Sequence, residues 1–464
     1  MRDVPPDLMH RLKRYGQEHV LFGWEELDAS GRAALANQLA GIDLDEIERL
    51  YGVRDKPCAV PTADRLAPVP AETAATIDRA TIRLGHEALG RGELAVLLVA
   101  GGQGTRLGCD KPKGMFAIGP VSNKTLFQIH ADKVFALGRR YGRPVPFLVM
   151  TSPATHADTT AYFAEHRYFG LGRENVYFFQ QGTMPAVDIA TGRLLLEAPG
   201  VLFSSPNGHG GTLTALSETG VLDEVGKRGV RHVFYFQVDN PLVKVGDPVF
   251  LGRHVALRSE ASSKAIAKAY PKEKTGVLAL IDGRCGIVEY SDLPDELAHL
   301  TDRNGRLVYR AGSPAIHLFD IEFLRRVTQG EHRLPFHVAR KKVPHVDANG
   351  ERVCPATENA LKFEMFVFDA LPMADRWLVM ESPREEEFSP VKNANGVDSP
   401  ATAKVAIANL AGSWLEKAGV RVARNSEGNV AEPLEISPRF AMDADELAAR
   451  VWPGRVVDGP LYLE

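Results

Sequence analysis

Short apolar runs alternate with helical stretches in the middle of the chain. The runs cover residues 94–100, 146–151, 176–180 and 232–238. Each has the length of an ordinary strand, roughly four to eight residues, and continuous apolar runs of that length are typical of strands buried on both faces of a sheet. Between the first two runs, an apolar stripe at helical spacing is formed by Leu126, Ile129, Val134 and Leu137. This alternation predicts βαβ units and a doubly wound, mixed but mostly parallel sheet of the α/β class.

The chain on either side of this section has a different pattern. Residues 35–50 carry apolar side chains mostly three and four positions apart, which predicts a mainly helical N-terminal region. Towards the other end, we expect a helix over residues 411–418 and proline-punctuated strands and turns over residues 430–464. The sequence thus predicts three segments, which are residues 1–92 (mainly helical), 93–404 (central α/β domain) and 405–464 (small C-terminal domain).

Composition and charge exclude several classes of protein. The 464 residues are 44% hydrophobic and 25% charged, as in ordinary globular domains, and the net charge of −4 disfavours a nucleic-acid-binding surface. The four cysteines are far apart, which indicates neither a zinc site nor a disulfide framework; they are Cys58, Cys109, Cys285 and Cys354. The first ten residues contain no apolar signal segment, and no apolar run approaches the roughly 18 residues of a membrane span. We therefore expect a cytoplasmic protein with no nucleic-acid or membrane partner.

Polar residues follow three of the predicted strands, where open α/β sheets bind their ligands. The first strand is followed by the glycine-rich loop of residues 101–108, and glycine lets backbone N–H groups approach phosphate oxygens. The third strand ends with Gln180 and is followed by Gln181, and the amides of both can bond a base edge. The fourth is followed by Asp239 and Asn240, and an aspartate carboxylate is a natural ligand for Mg²⁺. Together they predict a phosphate loop, a base reader and a metal ligand.

The glycine-rich loop differs from the two common phosphate-binding motifs. It lacks the Gly-Lys-Ser/Thr of a P-loop, and the spacing of Gly102, Gly104 and Gly108 is not that of a dinucleotide-binding loop. It also carries Arg106 in its own turn, with Lys113 shortly after it. Such cations suit a triphosphate with a departing pyrophosphate better than an intact dinucleotide. This disfavours the alternative of a nicotinamide-dependent oxidoreductase.

From about residue 16 to residue 404 the chain resembles the eukaryotic-type UDP-sugar pyrophosphorylases, and most of all their UDP-N-acetylglucosamine enzymes. The matching segments, in order, are residues 16–24, 101–115, 179–182, 206–211, 238–248, 268–271, 288–290 and 384–393. The resemblance implies a Rossmann-like nucleotidyltransferase fold with a GT-A-like core, in which the central domain is catalytic. It also implies a reaction of UTP with a hexose-1-phosphate, foremost N-acetylglucosamine-1-phosphate, with Mg²⁺ or Mn²⁺ as cofactor.

The resemblance further implies roles for individual residues. The implied catalytic residues are Arg106, Lys113 and Lys392. The implied substrate-binding residues are Gly101, Gly102, Gly104, Thr105, Gln181, Gly208, His209, Asp239, Glu289 and Tyr290. Among these, Gln181 would read uracil, Asp239 would hold the metal and Glu289 would bond sugar hydroxyls. A sugar phosphate is already an anion, so the enzyme needs no nucleophile of its own, only cations that offset charge repulsion.

Two positions in the sugar pocket that the resemblance implies depart from the UDP-N-acetylglucosamine pattern, because His209 and Ile316 stand where those enzymes have asparagine. His209 instead resembles the Gly-His-Gly of glucose-type and broad-specificity UDP-sugar pyrophosphorylases. A preference for glucose-1-phosphate or for several sugars therefore stays open. A non-catalytic UDP-sugar sensor is the alternative of another class, which the complete set of charged residues disfavours. For the oligomeric state we expect a monomer or a weak homodimer.

Overall fold

A computed structural model describes residues 3–55, 61–329, 333–347 and 349–464, so that Cys58 lies outside the described residues. The helices in chain order are α1 (Pro6–Arg14), α2 (Ala29–Ala40), α3 (Leu44–Gly52), α4 (Arg79–Arg91), α5 (Leu126–Tyr141), α6 (Pro153–Glu165), α7 (Gly211–Glu218), α8 (Val221–Lys227), α9 (Pro248–Ala256), α10 (Asp295–Ala298), α11 (Ile321–Thr328), α12 (Arg384–Glu387), α13 (Pro400–Lys417) and α14 (Ala444–Ala448).

The strands, many of them short, in chain order are β1 (Leu66–Pro68), β2 (Glu72–Thr73), β3 (Leu94–Val99), β4 (Phe147–Thr151), β5 (Val176–Gln180), β6 (Thr183–Pro185), β7 (Val187–Asp188), β8 (Leu196–Ala198), β9 (Val201–Leu202), β10 (Ser204–Pro206), β11 (His232–Gln237), β12 (Ala261–Ala267), β13 (Val277–Ile281), β14 (Arg284–Val288), β15 (Ala311–Gly312), β16 (His317–Asp320), β17 (His337–Lys341), β18 (His345–Val346), β19 (Arg352–Val353), β20 (Ala360–Glu364), β21 (Trp377–Glu381), β22 (Arg421–Val422), β23 (Leu434–Ile436), β24 (Val456–Val457) and β25 (Leu461–Leu463). None of the described helices is long and apolar enough to span a membrane.

The chain divides into two compact units, each assembled from three separate segments. Unit 1 takes its described residues from the ranges 1–60, 181–214 and 334–369, and unit 2 from the ranges 61–180, 215–333 and 370–464. The predicted segments 1–92, 93–404 and 405–464 stay a prediction of domain boundaries, and the compact units are bounded elsewhere. The last 60 or so residues, for example, belong to the same unit as the large sheet.

In unit 1 the N-terminal helices share one core with strands from later in the chain. The buried members of this core include Leu12, Trp24, Leu35, Ile47, Leu196 and Phe363. The apolar pattern over residues 35–50 corresponds to two helices, α2 and α3, with a break between them. The break arises because the Asp43 carboxylate caps α3, accepting a hydrogen bond of 3.0 Å from the Glu46 backbone N–H.

Unit 2 is built on a 12-stranded mixed sheet. Its main strand order is β1-β13-β15-β12-β16-β11-β3-β4-β5, while β14 pairs with β13 and β21 pairs with both β12 and β2. The four predicted strands are β11, β3, β4 and β5, which are adjacent and mutually parallel, as predicted. Antiparallel pairing begins where β11 meets β16, so the predicted mixed α/β sheet is confirmed.

Helix α5 covers the parallel part of the sheet with the predicted apolar stripe, whose four residues are all buried in the main core of unit 2. The C-terminal helix α13 begins eleven positions before the predicted helix, at Pro400, because Ser399 and Thr402 form a capping box with proline at the first turn. Beyond α13, the described residues form short strands and the helix α14 around a small core of their own.

Candidate functional site

The glycine-rich loop that follows β3 is folded back on itself and tied to its surroundings. The backbone N–H of Lys113 donates a hydrogen bond of 3.0 Å to the carbonyl of Gly102. At the strand end, the Ser152 hydroxyl donates a hydrogen bond of 2.8 Å to the carbonyl of Gly101. These bonds place the predicted phosphate lysine beside the predicted phosphate loop, at the carboxyl edge of the sheet.

Two glycines and two polar residues of the loop show different constraints. A Cβ on Gly104 would lie 3.0 Å from the carbonyl oxygen of Cys109, so tight packing favours glycine there. A Cβ on Gly102 would meet nothing within 4 Å, so packing within the protein does not explain that glycine. Thr105 and Arg106 are exposed, and the Arg106 side chain makes no hydrogen bond or ion pair within the described part of the chain. A free guanidinium beside an open glycine backbone suits an anionic ligand.

Asp239 stands just beyond the end of β11, the strand next to β3. Only 9% of the residue is exposed, and its Oδ2 lies 3.7 Å from Nζ of Lys113. Its backbone carbonyl accepts a hydrogen bond of 2.8 Å from the N–H of Val391. Through this bond the segment that carries Lys392 is held against the strand end. The structure therefore brings together Lys113, Asp239 and the Lys392 segment, which are far apart in the sequence.

Lys392 is accompanied by a carboxylate that the sequence analysis missed. Its Nζ lies 3.9 Å from Oδ2 of Asp398 and 5.7 Å from the centre of the Phe388 ring. Burial raises the pKa of the Asp398 carboxyl; Lys392 opposes this rise, and the negative charge of Asp239 adds to it. The two carboxylates are thus close enough to interact electrostatically. A signal in the sequence existed, since Asp398 closely follows the matched segment 384–393.

The Asp239 carboxylate has the properties of a ligand for a divalent cation. Within the described residues its oxygens accept no hydrogen bond, and Lys113 at 3.7 Å is their ion-pair partner. The described residues contain no group of three or more acidic, histidine or cysteine side chains that could enclose a metal. That fits Mg²⁺ as nucleotide enzymes hold it, through one or two carboxylates together with substrate phosphates.

Glu289 and Tyr290 are positioned by another part of the sheet. They follow β14, which is separated from β11 by β13, β15, β12 and β16. The carbonyl of Glu289 accepts hydrogen bonds from the N–H groups of Asp292 (2.9 Å) and Leu293 (3.1 Å), which turns the chain immediately after the strand. Tyr290 is 45% exposed. The predicted role of this pair in sugar binding stays a prediction.

Three further predicted residues, Gln181, Gly208 and His209, belong to unit 1. Gln181 is largely buried, at 8% exposure. Gly208 has a φ of +85°, and a Cβ there would lie 2.3 Å from the carbonyl oxygen of Met365, so the backbone requires glycine at this position. The resemblance implies a glycine near the ligand, and packing inside unit 1 gives a separate reason for glycine at this position.

His209 is held in one orientation by its neighbours in unit 1. Its Nδ1 accepts a hydrogen bond of 3.2 Å from the N–H of Val367, so the proton of the neutral ring is on Nε2. The rings of Phe366 and Phe368 flank it, with centroids 5.4 and 5.7 Å away. Burial lowers the pKa of the His209 imidazole to about 4, and Asp369 opposes this shift. At neutral pH, His209 is therefore an uncharged hydrogen-bond donor through Nε2.

Ile316 differs from the expectation that it lines a sugar pocket. Its side chain is 0% exposed and belongs to the main apolar core of unit 2. Its carbonyl accepts a hydrogen bond of 3.0 Å from the N–H of Lys264 in β12. The isoleucine at this position is therefore explained by core packing, and direct contact with a substrate would need a rearrangement.

The sequence also did not predict a buried ion cluster next to residues 239–247, which we call the Asp239 loop. The Lys264 side chain is 0% exposed, and its Nζ contacts Oδ2 of Asp247 at 2.9 Å and Oε1 of Glu387. Together the two carboxylates hold the pKa of the lysine above its usual range, against the effect of burial. Nothing in the local sequence pairs these residues, because each comes from a different part of the chain.

Comparisons with known proteins identify a matching family and relatives over most of the chain. The family model described as UTP–glucose-1-phosphate uridylyltransferase matches residues 59–402. The UDP-N-acetylglucosamine diphosphorylase 2 of Arabidopsis thaliana is 37% identical, over 98% of this chain and 93% of its own length. The human UDP-N-acetylhexosamine pyrophosphorylase-like protein 1 is 38% identical, over 99% of this chain and 97% of its own.

A solved structure has the same architecture. The UDP-N-acetylglucosamine pyrophosphorylase of Trypanosoma brucei superimposes with a TM-score of 0.80 at 29% identity, covering 100% of this chain and 99% of its own. The likeness extends over the whole chain, so both the sheet with its glycine-rich loop and the segments of unit 1 have counterparts in that protein.

Proposed function

Because the chain belongs to the UTP–glucose-1-phosphate uridylyltransferase family, and so to the nucleotidyltransferases, we propose that it joins UTP to N-acetylglucosamine-1-phosphate. The products are UDP-N-acetylglucosamine and diphosphate. The observation that carries the proposal is the meeting of Lys113, Asp239 and the Lys392 segment beside the glycine-rich loop in unit 2. The names of the relatives support the choice of an N-acetylhexosamine.

The chemistry needs charge compensation more than it needs a reactive side chain. An oxygen of the sugar phosphate forms a bond to the α-phosphorus of UTP, the bond from that phosphorus to the bridging oxygen breaks, and diphosphate leaves. Both reactants are anions, so no proton has to be removed from the attacking group. Positioning in line and offsetting of negative charge therefore account for the rate acceleration.

The residues of unit 2 divide this work. The open backbone at Gly102 would hold the phosphates of UTP together with the guanidinium of Arg106, which has no ion-pair partner among the described residues. Lys113 and Lys392 would offset charge on the reacting and departing phosphates. Asp239 would hold Mg²⁺ or Mn²⁺, which when bound supplies further positive charge to the phosphate oxygens.

For the choice of sugar we propose a role for His209, a position at which the sequence departs from the UDP-N-acetylglucosamine pattern. With its proton on Nε2, the ring can donate one hydrogen bond, whereas an asparagine offers both a donor and an acceptor. A single donor can serve the carbonyl of an N-acetyl group or a sugar hydroxyl. Because this hydrogen bond does not need an N-acetyl group, the single donor favours glucose-1-phosphate as the second candidate substrate.

A panel of substrates tests the proposal directly. Purified protein is mixed with UTP, Mg²⁺ and either N-acetylglucosamine-, glucose- or galactose-1-phosphate, and diphosphate release is measured. We expect release with the highest kcat/KM for N-acetylglucosamine-1-phosphate. A higher value for glucose-1-phosphate would replace the proposed sugar, and no release with any of the three would refute the enzymatic function.

The role of Asp239 is tested by Asp239→Asn, which removes the carboxylate charge and keeps the side-chain size. We expect kcat to fall by about 100-fold or more, the usual effect of losing one electrostatic contact to the transition state. The control is Asp223→Asn, because Asp223 is exposed and pairs with Arg325 at 2.9 Å. Near-normal turnover of Asp239→Asn would contradict the metal assignment.

The cellular setting and assembly remain proposals as well. The described cysteines Cys109, Cys285 and Cys354 are all free thiols, which fits the reducing cytoplasm that we propose as the location. The prediction of a monomer or weak homodimer stays a prediction.

A further inference from the structure

Helix α5 holds the backbone on both sides of Asp239. One turn of the helix carries His130, whose Nε2 donates a hydrogen bond of 2.9 Å to the carbonyl of Val238. The next turn carries Lys133, whose Nζ donates to the carbonyls of Pro241 (2.5 Å) and Val243 (2.7 Å). Two side chains of one helix therefore fix the residue before Asp239 and the loop after it.

His130 is buried and Lys133 is half-buried, so both polar side chains lose contact with water. His130 is 0% exposed, and its Nδ1 is buried without a hydrogen-bond partner among the described residues. Lys133 bonds main-chain carbonyls rather than a carboxylate, and burial lowers its pKa to about 7, with Glu387 opposing the shift. An apolar side chain at either position would avoid the cost of burying a polar group. Their presence is explained by what they hold.

The segment around Asp239 is also held by the chain around residues 387–389. The Asn240 side chain donates a hydrogen bond of 2.7 Å to the carbonyl of Glu387, and its Oδ1 accepts one of 3.1 Å from the N–H of Ser389. The Asp239 carboxylate itself has only the 3.7 Å contact with Lys113 among the described residues. The backbone before and after Asp239 therefore determines where the carboxylate lies. Helix α5 holds that backbone through the side chains of His130 and Lys133.

We propose that His130 and Lys133 are positioning residues, which fix the Asp239 carboxylate where it holds the divalent cation. The proposal rests on the proposed function, because it assigns Asp239 the role of metal ligand. When residues that orient a metal-binding side chain are removed, the affinity for the metal typically falls by about 10- to 100-fold. A purely structural pair would lower stability without changing that affinity.

The test measures metal binding apart from turnover. Mn²⁺ is titrated into the protein in the presence of a non-hydrolysable UTP analogue, and free Mn²⁺ is followed by electron paramagnetic resonance. For Lys133→Met we expect the Kd for Mn²⁺ to rise by about tenfold or more. Lys133→Gln, whose amide can still donate to a carbonyl, should recover part of the affinity. In turnover assays, kcat should fall more than the KM for UTP changes.

Tyr309→Phe is the matched control. It removes another side-chain hydrogen bond to a backbone carbonyl in unit 2, from the buried Tyr309 hydroxyl to Leu66 at 3.1 Å, without changing packing volume. It should lower Tm and leave the Kd for Mn²⁺ unchanged. If Lys133→Met does not fold, the Kd for Mn²⁺ is measured on His130→Leu instead, because a leucine suits the apolar surroundings of His130 beside Phe236.

The outcomes distinguish a failure of the positioning role from a failure of the proposed function. A folded Lys133→Met or His130→Leu with the Mn²⁺ affinity of the wild type would overturn the positioning role while the proposed function stands. A wild-type protein that neither binds Mn²⁺ with the analogue nor releases diphosphate would refute the proposed function itself.

Discussion

At the scale of single residues, the neighbours of a predicted site residue fix its chemical state. His209 shows this best, because a backbone N–H occupies Nδ1 and two phenylalanine rings flank the imidazole. The histidine can therefore act as a neutral donor and as nothing else at neutral pH. Sugar choice should respond to a change at this one position.

We expect His209→Asn to raise the ratio of kcat/KM for N-acetylglucosamine-1-phosphate over glucose-1-phosphate by roughly 5- to 150-fold, the effect of about 1–3 kcal/mol from one well-placed polar contact. The single variant is preferable to a double variant with Ile316→Asn, because an amide at the fully buried Ile316 would destabilise the core. Diphosphate release with both sugars provides the measurement, and an unchanged ratio would remove His209 from the sugar pocket.

Some site residues could be predicted from the sequence because their signal is local. The glycine-rich loop is a continuous motif, and Asp239 directly follows an apolar strand, so the sequence alone places both at one edge of the sheet. Lys133 and Lys264 have no such signal. Their importance comes from contacts with chain segments far away in sequence, and only the fold creates those contacts.

At the scale of elements, helices α4 and α9 approach so closely that their backbones touch. A Cβ on Gly85 of α4 would lie 2.0 Å from the carbonyl oxygen of Pro248, and one on Gly252 of α9 would lie 2.3 Å from that of Thr81. Helix α9 begins immediately after Asp247, whose side chain caps it and contacts Lys264. The close contact of the two helices therefore helps to fix the position of Asp247, at the end of the Asp239 loop.

We expect Gly85→Ala to lower the free energy of unfolding, because overpacking costs about 1–3 kcal/mol and outweighs the gain of at most about 1 kcal/mol in helix propensity. The control is Gly90→Ala in the same helix, where a Cβ would meet nothing within 4 Å. Thermal unfolding should show a lower Tm for the first variant and an equal or higher Tm for the second. Equal Tm values would contradict the close helix contact.

The elements themselves were unequally predictable. The four parallel strands were placed almost to the residue, because strands buried on both faces are continuous apolar runs. The antiparallel part of the sheet was not predicted strand by strand, since β15 has two residues and its partners β12 and β13 lie well before it in the chain. The early start of α13 had a local signal, the Ser399–Thr402 capping box, which the apolar pattern alone does not reveal.

At the scale of the whole molecule, the fold buries histidines in their neutral form. Burial lowers the pKa of His130 to about 3 and that of His209 to about 4, and it lowers the pKa of His254 well below its usual value. The unfolded chain takes up protons at these residues below about pH 6.5. Between that pH and the lowered pKa values, the unfolded state binds more protons, so stability falls as the pH falls.

Tm should therefore decrease between pH 7 and pH 5, with His130 alone contributing about 2 kcal/mol of the loss at pH 5. His130→Leu should show a smaller decrease than the wild type over this range, whatever its Tm at pH 7. His10→Gln, at an exposed position, should keep the full decrease. Parallel Tm profiles for the wild type and His130→Leu would show that His130 does not titrate on unfolding.

The assembly of unit 1 from three distant segments has a consequence for synthesis on the ribosome. Helices α1–α3 are made before the rest of unit 1, and Leu361 and Phe363, which complete their core, come about 300 residues later. At a translation rate of roughly 5–20 residues per second, the delay is on the order of 15–60 s. During that time, helices α1–α3 expose apolar side chains that the finished core of unit 1 covers. Chaperone binding to the growing chain, and aggregation when chaperones are scarce, should therefore centre on these helices.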